Sequence, residues 1–232
     1  MRPAILTDTF SIESLTSMQA KLKRSNNSNP ILIGSFLWIS SIQYFVVQVL
    51  VAFSFTPRYS ISNNTISDLG NTVCGPYGDK LVCSANFLAM NISFIILGLT
   101  MLFGALINQK HSNTSKLSSF GFSGLALSGL GTVLIGIFPE NSISSLHIIG
   151  AGIPFLVGNI SLVILSRSLE VGKYFSIYTF LSGFTALIAL ALFLTQNYLG
   201  LGIGGIERIV AYPQTIWLIS YGIHSLIVQR FK

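Results

Sequence analysis

The stretch FPENSISSLH, residues 138–147, separates two apolar runs that decide the fold. The run before it, 117–138, and the run after it, 147–166, contain no Asp, Glu, Lys or Arg. A helix needs roughly 20 such residues to cross a bilayer, because it rises ~1.5 Å per residue through a ~30 Å hydrocarbon core. The two runs therefore predict a helical hairpin that crosses a membrane twice, with a short polar connection at one surface.

The same pattern extends over most of the chain. Four more charge-free windows of this length occupy residues 31–55, 82–107, 174–195 and 209–228. The chain of 232 residues is 51% hydrophobic and only 9% charged, whereas soluble domains carry about 25% charged residues. We predict an all-α, polytopic bundle of six transmembrane helices over residues 31–232.

The basic residues predict how this bundle is oriented. Of the 13 Lys and Arg residues, all but Arg58, Lys80 and Arg208 fall on the side of the two chain termini. Cytoplasmic segments carry an excess of Lys and Arg, which predicts a multi-pass cell-membrane protein with both termini in the cytoplasm. The net charge of +6 then indicates membrane lipids with anionic headgroups as partners, and not nucleic acid.

Residues 1–30 form a separate segment before the first span. Asp8 and Glu13 interrupt it, so that it lacks the continuous apolar core of a signal peptide. Apolar residues recur at helical spacing between Ile12 and Leu22, which predicts a short amphipathic helix on the inner leaflet. A disordered cytoplasmic tail is the alternative.

The two cysteines of the chain, Cys74 and Cys83, lie on the predicted outer side near the start of the second span. An oxidising compartment permits a disulfide between them, and two free thiols are the alternative. Two thiols are too few for a zinc site of their own. We predict no metal site and no cofactor.

A short internal similarity links the second and fourth spans. FLAMNIS, residues 87–93, and FLVGNIS, residues 155–161, agree at five of seven positions. A bundle built from helical-hairpin repeats would explain this, and chance similarity between apolar segments is the alternative. The amides of Asn91 and Asn159 are expected to hydrogen-bond to neighbouring helices, because hydrocarbon offers them no partner.

Two prolines lie inside predicted spans, Pro154 in the fourth and Pro213 in the sixth. Each removes a backbone hydrogen bond and is expected to bend its helix near the outer end. The two bends could open a cavity toward the outer leaflet or could simply shape the packing.

Five polar residues from three different connections map to one membrane face: Asp68, Glu140, His147, Glu207 and Arg208. A helix dipole stabilises a carboxylate at a helix N-terminus by about 0.3–1 kcal/mol, which explains Glu207 without any function. It does not explain His147 or Arg208, because cations are disfavoured there. We expect these two side chains to have partners, such as an ion pair of Arg208 with Asp68 or Glu140.

Three short motifs carry a resemblance to a known family. They are TISDLG at residues 65–70, FPE at 138–140 followed by a His that opens the fourth span, and GIER at 205–208 before a span containing Trp217. In this combination the chain resembles the membrane family known as domain of unknown function 998, over about residues 31–230. The resemblance implies a six-helix bundle whose five polar positions converge near one membrane face, and it implies no particular reaction.

We predict that these residues form an outward-facing polar site for a lipid headgroup or another small amphiphilic ligand. Binding is assigned to Asp68, His147, Glu207 and Arg208. Arg208 and His147 offer charge-assisted hydrogen bonds to phosphate, and Glu140 would orient them. If the site also processes its ligand, the candidates for catalysis are Asp68, Glu140 and His147.

Three alternatives stay open. The polar cluster could be an ion-pair staple in a structural or partner-binding membrane protein, which would not be an enzyme. A membrane-embedded lipid hydrolase would need a metal held by His147, Asp68 and Glu140, or a triad of Ser67, His147 and Asp68, although no G-x-S-x-G motif supports the triad. A small-molecule transporter is the third, although the spans lack the charged residues that mark ion pathways.

Overall fold

The computed structural model describes residues 30–111 and 115–230, which form a helical bundle with a folded connection at one end. The helices are α1 (30–39), α2 (Ile42–Phe53), α3 (Phe87–His111), α4 (Lys116–Ile137), α5 (Ser144–Gly152), α6 (Asn159–Ser168), α7 (Lys173–Leu194) and α8 (Gly202–Arg230). A π-helical segment, Ile153–Gly158, joins α5 to α6 without a break. Residues 1–29 of the predicted tail lie outside the described residues. The all-α prediction is confirmed.

Within the described residues, five helical stretches have the length and apolar composition of membrane spans. They are Pro30–Phe53, Phe87–Lys110, Lys116–Ile137, Ser144–Ser168 and Lys173–Leu194. The predicted sixth span, 209–228, lies within α8, a helix of 29 residues whose Gln214 and His224 make it less apolar than the others. The chain is thus a multi-pass membrane protein, and the sixth span stays a prediction.

The connection between α2 and α3, residues 54–86, folds as a unit that we call the cap. It contains a 3-10 helix (Ser67–Gly70) and an antiparallel hairpin of β1 (Gly75–Tyr77) and β2 (Lys80–Val82). A disulfide between Cys74 and Cys83 closes the hairpin. Because β2 occupies the start of the predicted window 82–107, the helix begins later than predicted. We call the end of the bundle that carries the cap the loop end.

Away from the loop end, the helices are held together by an aromatic core. The ring centroid of Trp38 on α1 lies 5.7 Å from that of Trp217 on α8 and 6.2 Å from that of Phe122 on α4. Tyr221 stacks on Trp217 at 5.0 Å. Such pairs contribute about 0.5–1.5 kcal/mol each beyond the area they bury, so these rings connect the first helix to the last.

The two asparagines of the predicted repeat have different partners. Asn91 Nδ2 donates to the carbonyl of Gly70 in the cap (2.9 Å), whereas Asn159 Nδ2 donates to the carbonyl of Val210 on α8 (3.2 Å). Both amides therefore join separate elements, but they do not occupy equivalent environments. The hairpin repeat stays a prediction.

Candidate functional site

All five predicted polar residues lie at the loop end and are buried, with exposed fractions between 0% for Asp68 and 9% for Glu140. The cap supplies Asp68, the connection between α4 and α5 supplies Glu140, and α5 supplies His147. The first turns of α8 supply Glu207 and Arg208. A buried charge is costly unless it is paired or hydrogen-bonded, so the partners of these groups decide what each can do.

The carboxylate of Asp68 organises the cap. Its Oδ2 accepts hydrogen bonds from Asn64 Nδ2 (2.9 Å) and the backbone N–H of Thr65 (3.0 Å), and it forms a salt bridge with Lys80 Nζ (2.5 Å). All three donors belong to the cap. The other oxygen, Oδ1, is buried and receives no hydrogen bond from a nitrogen or hydroxyl donor of the described residues.

The carboxyl group of Glu140 is the acidic neighbour of Asp68. Burial, followed by the charge and hydrogen bond of the neighbouring Asp68 carboxylate, raises the pKa of Glu140 to about 9. The Glu140 carboxyl is therefore protonated at neutral pH and donates to Asp68. Asn71 Nδ2 approaches Glu140 Oε1 at 3.4 Å, and Tyr77 Oη donates to its main-chain carbonyl at 3.1 Å.

Arg208 binds carbonyl groups of the cap. Its Nη1 donates to the carbonyls of Ile61 (3.0 Å), Asn64 (3.0 Å) and Gly204 (2.7 Å), and its Nη2 donates to Tyr59 Oη. The expected ion pairs of Arg208 with Asp68 or Glu140 are wrong: among the described residues the salt bridge of Asp68 is with Lys80. The guanidinium has five N–H donors in a fixed plane, so it can donate to several carbonyl oxygens at once.

Glu207 makes a second link between α8 and the cap. Its Oε2 accepts the backbone N–H of Ile66 at 2.5 Å, at the position just before the 3-10 helix. Arg208 thus binds two carbonyls and the Tyr59 hydroxyl of one short segment, residues 59–66, and Glu207 binds one N–H of the same segment. This pair of adjacent residues fixes the cap against the first turns of α8.

His147 is hydrogen-bonded at both ring nitrogens. Nδ1 lies 2.8 Å from the carbonyl oxygen of Phe138, and Nε2 lies 2.9 Å from Ser67 Oγ. A carbonyl can only accept, so Nδ1 carries a proton, and in the neutral ring Nε2 accepts the hydroxyl proton of Ser67. Asp68 is adjacent to Ser67 in sequence but does not orient the imidazole, because its Oδ2 is directed to Lys80 and its own cap neighbours.

A narrow cavity lies directly beneath the cap, between α2, α3, α4, the π-helical segment and α8. It leaves about 40 Å³ open to the centres of water molecules, which is room for about three of them. Its walls are mostly apolar. Its polar lining is contributed by Ser67, Thr132, Glu207, Gln214 and Thr215.

Two polar side chains of α8, Glu207 and Gln214, line this cavity at different depths. Glu207 lies at its cap side, and Gln214 lies about 10 Å deeper by helical rise. Gln214 is 4% exposed, and its Nε2 has no hydrogen-bond partner among the described residues. A buried amide donor that lines a cavity requires a water or a ligand as acceptor. Pro154 also lines the cavity, as part of the π-helical segment.

The titratable side chains do not form a metal-binding group. Within residues 30–111 and 115–230, no three His, Cys, Asp or Glu side chains are grouped as metal ligands. His147 cannot recruit Asp68 and Glu140, since both of its ring nitrogens already have partners. The chemistry available here is that of a hydroxyl, an imidazole and carboxyl groups.

Comparison with known proteins identifies the family of this chain. The sequence model of a family described as "Protein of unknown function (DUF998)" matches residues 39–224. The chain belongs to this family. No curated protein and no solved structure matches it. The match includes the cap, the cavity and all five polar residues of this DUF998 protein, so the site belongs to the part of the chain that defines the family.

Sequence reasoning on this DUF998 protein missed several residues of the site. The sequence marks Lys80 only as a basic residue of the outer side, and nothing in it singles out Tyr59 or Asn64. Gln214 could have been noticed, because an amide next to a proline inside an apolar span is as unusual as the buried Asn91. No local sequence signal identifies the acceptors of Arg208, since they are backbone carbonyls.

Proposed function

We propose that this DUF998 protein recognises a lipid headgroup or another small amphiphile at the loop end, on the extracytoplasmic side of the membrane. The observation that carries the proposal is the cavity beneath the cap, which has apolar walls, Ser67 and Glu207 at its cap side, and the unpartnered Nε2 of Gln214 deeper inside. Ligand sites are mostly apolar cavities in which a few polar groups fix the orientation.

The size of the cavity limits what can enter it. Room for about three waters corresponds to a group of a few heavy atoms. A small part of the amphiphile would therefore occupy the cavity, while its long chains stay in the surrounding lipid. Ser67, His147, Glu207 and Gln214 would contact the ligand, and Asp68 and Arg208 would hold the cap in place above it.

The topology proposed for this function has six spans with both termini in the cytoplasm. The sixth span, 209–228, is supported by the length of α8, which exceeds the roughly 20 residues needed. The orientation is supported by the basic residues of the described segments, of which only Arg58, Lys80 and Arg208 belong to the loop end. Two or three hairpin repeats would give this arrangement, with the cap over the outer ends.

A second candidate function is that of a structural membrane protein whose polar residues only fasten the cap. The four hydrogen bonds of Arg208 and the salt bridge between Asp68 and Lys80 favour this reading. It does not account for the cavity or for the Gln214 Nε2 donor, which has no hydrogen-bond partner among the described residues. The two candidate functions therefore predict different effects on ligand binding when a larger side chain fills the cavity.

The test uses the full chain, purified in detergent, and a fluorescently labelled phospholipid or fatty acid as the probe. Ala211 lines the cavity, and Ala211→Leu would occupy it without removing a polar contact. The matched control is Ala191→Leu, because Ala191 is exposed on α7. We expect Ala211→Leu to weaken probe binding about 10-fold or more at an unchanged melting temperature.

His147→Ala and Arg208→Ala then separate the two candidates. Recognition predicts that His147→Ala weakens binding more than it lowers the melting temperature, while Arg208→Ala lowers both. Equal loss of melting temperature in both variants, with no probe binding by the wild-type protein, would favour the purely structural role.

A further inference from the structure

The contact between Ser67 and His147 resembles that of a nucleophile and its base. Ser67 Oγ lies 2.9 Å from His147 Nε2, and the opposite nitrogen is held by the carbonyl of Phe138 at 2.8 Å. This second bond places the proton on Nδ1 and leaves the Nε2 lone pair directed at the serine hydroxyl. A hydroxyl, an imidazole base and a group that orients the base are the parts that activate a serine.

The position of Ser67 separates this contact from an ordinary structural hydrogen bond. Ser67 is the first residue of the 3-10 helix, and it lines the cavity beneath the cap. A hydroxyl that only fastened the cap to α5 would not need to face the ligand cavity. Here a group inside the cavity can approach the serine, while His147, only 7% exposed, is shielded from bulk solvent.

We propose that Ser67 and His147 are a catalytic pair that hydrolyses a short-chain carboxylic ester carried by an amphiphile. The proposal rests on the proposed function, because the same cavity must admit the acyl group. Room for about three waters, each taking ~30 Å³ of liquid volume, corresponds to an acyl group of about three or four carbons. Long acyl chains do not fit, so the esters would be short acyl groups on a larger amphiphile.

The reaction proceeds in two balanced steps. Ser67 Oγ attacks the ester carbonyl carbon and its proton passes to His147 Nε2; the bond to the alkoxy oxygen then breaks, and the leaving alcohol takes that proton. A water molecule next gives a proton to His147 Nε2 and attacks the acyl-serine. The carboxylic acid leaves, and Ser67 recovers its proton. The co-reactant is water, and no oxidant or reductant is needed.

The imidazole keeps its orientation during both steps without a carboxylate. In the familiar triad an Asp accepts from Nδ1, and here the acceptor is the Phe138 carbonyl. A backbone carbonyl carries no net charge and stabilises an imidazolium less than a carboxylate does. We therefore expect slower turnover than a full triad would give.

The experiment is covalent labelling of the full-length wild-type protein with a small alkyl phosphonofluoridate. Attack by Ser67 forms an O–P bond, breaks the P–F bond and releases fluoride, while the serine proton goes to His147. We expect mass spectrometry to find the adduct on Ser67, which requires no variant to fold. Release of p-nitrophenol should be faster from the butyrate ester than from the palmitate ester.

Two variants sharpen the result. His147→Asn keeps an amide donor for the Phe138 carbonyl but removes the base, and it should slow labelling about 100-fold or more. Ser145→Ala is the matched control, because Ser145 is exposed on the same helix, and it should label normally. The proposal is overturned if Ser67 carries no adduct, or if His147→Asn labels as fast as wild type.

The outcome can be separated from that of the proposed function. Binding of the labelled amphiphile without an adduct on Ser67 would overturn only the esterase activity. The absence of both would overturn recognition as well.

Discussion

The loop end and the aromatic core of this DUF998 protein are stabilised in different ways. At the loop end, Arg208, Asp68 and Glu207 bind backbone and side-chain groups of one connection through directional hydrogen bonds. In the aromatic core, Trp38 and Trp217 pack against rings from several helices and each donates one indole N–H bond. The first region fastens a segment, and the second joins the bundle.

This difference has a physical cause. In hydrocarbon the helices already satisfy their own backbone groups, so contacts between them come from close packing. The cap has short strands and a 3-10 helix, so it leaves N–H and carbonyl groups that side chains must satisfy. Charged side chains therefore occur at the cap, where the backbone is irregular. Damage at the loop end should release the cap, whereas damage in the aromatic core should loosen every helix.

The largest effect is expected from Trp217→Ala. Trp217 is fully buried, touches Trp38 and Tyr221, and donates to Thr179 Oγ1 at 2.8 Å. Truncating a buried Trp costs about 3–5 kcal/mol, so the melting temperature of the whole bundle should fall in detergent. The control is Ile216→Ala, because the adjacent Ile216 is 44% exposed. An equal loss in both variants would show that the aromatic core has no special role.

A smaller and more local effect is expected from Arg208→Met. The variant removes the donor to two cap carbonyls, to the Gly204 carbonyl and to Tyr59 Oη, which should cost about 2–3 kcal/mol. We expect faster amide hydrogen exchange in residues 59–66 and little change in α4 or α7. Arg208→Lys keeps the charge but not the planar set of donors, so it should give an intermediate result. Uniform loss of protection over all helices would contradict the local role.

The disulfide should contribute a comparable or slightly smaller amount to the same region. Replacing both Cys74 and Cys83 by Ser opens a loop with a sequence separation of 9, at a cost of about 2–3 kcal/mol. Limited proteolysis should then cut the cap sooner, while the aromatic core stays folded. Reducing agent should reproduce this in the wild-type protein and change nothing in the double variant. Proteolysis at the wild-type rate would show that the cap is held without the disulfide.

Most of the bundle could be predicted from the sequence because burial in hydrocarbon is a local, additive requirement. A window such as 117–138 identifies a span by its own composition. The grouping of Asp68, Glu140 and His147 at one end was also predictable, because successive helices alternate in direction. The same criterion was less decisive for α8, in which polar residues that serve the cavity reduce the apolar signal.

The partners within the site could not be predicted, because they depend on the path of the cap through space. Asp68 pairs with Lys80 only because the hairpin turns back over the 3-10 helix. Arg208 binds carbonyls of Ile61 and Asn64, and every residue has a carbonyl, so no residue type announces this contact. The chemistry of each side chain predicts that Asp68 and Arg208 need partners, but it does not identify those partners.

Near pH 5 the smallest effect is expected from Glu140→Gln, and this effect grows as the pH rises. The unfolded chain releases the Glu140 proton near the ordinary value of 4.5, whereas the folded protein keeps it up to about 9. Folding therefore binds a proton in this window, and the stability that Glu140 contributes is complete below pH 4.5 and is lost as the pH rises towards 9. Gln is neutral throughout, and its amide can still donate a hydrogen bond to the Asp68 carboxylate.

The expected result is that the two proteins have nearly equal stability at pH 5 and that Glu140→Gln becomes the more stable one as the pH rises to 8, because each pH unit above the unfolded pKa costs the wild-type protein up to ~1.4 kcal/mol. The groups whose charges act on Glu140 are Asp68 and Glu207, which raise its pKa, and Lys80, which lowers it. Melting curves at several pH values provide the measurement. Glu170→Gln is the control, because Glu170 is exposed in the connection between α6 and α7. Parallel pH curves for wild type and Glu140→Gln would mean that Glu140 is ionised in the folded protein, so that two adjacent negative charges lie beside Lys80 at the loop end.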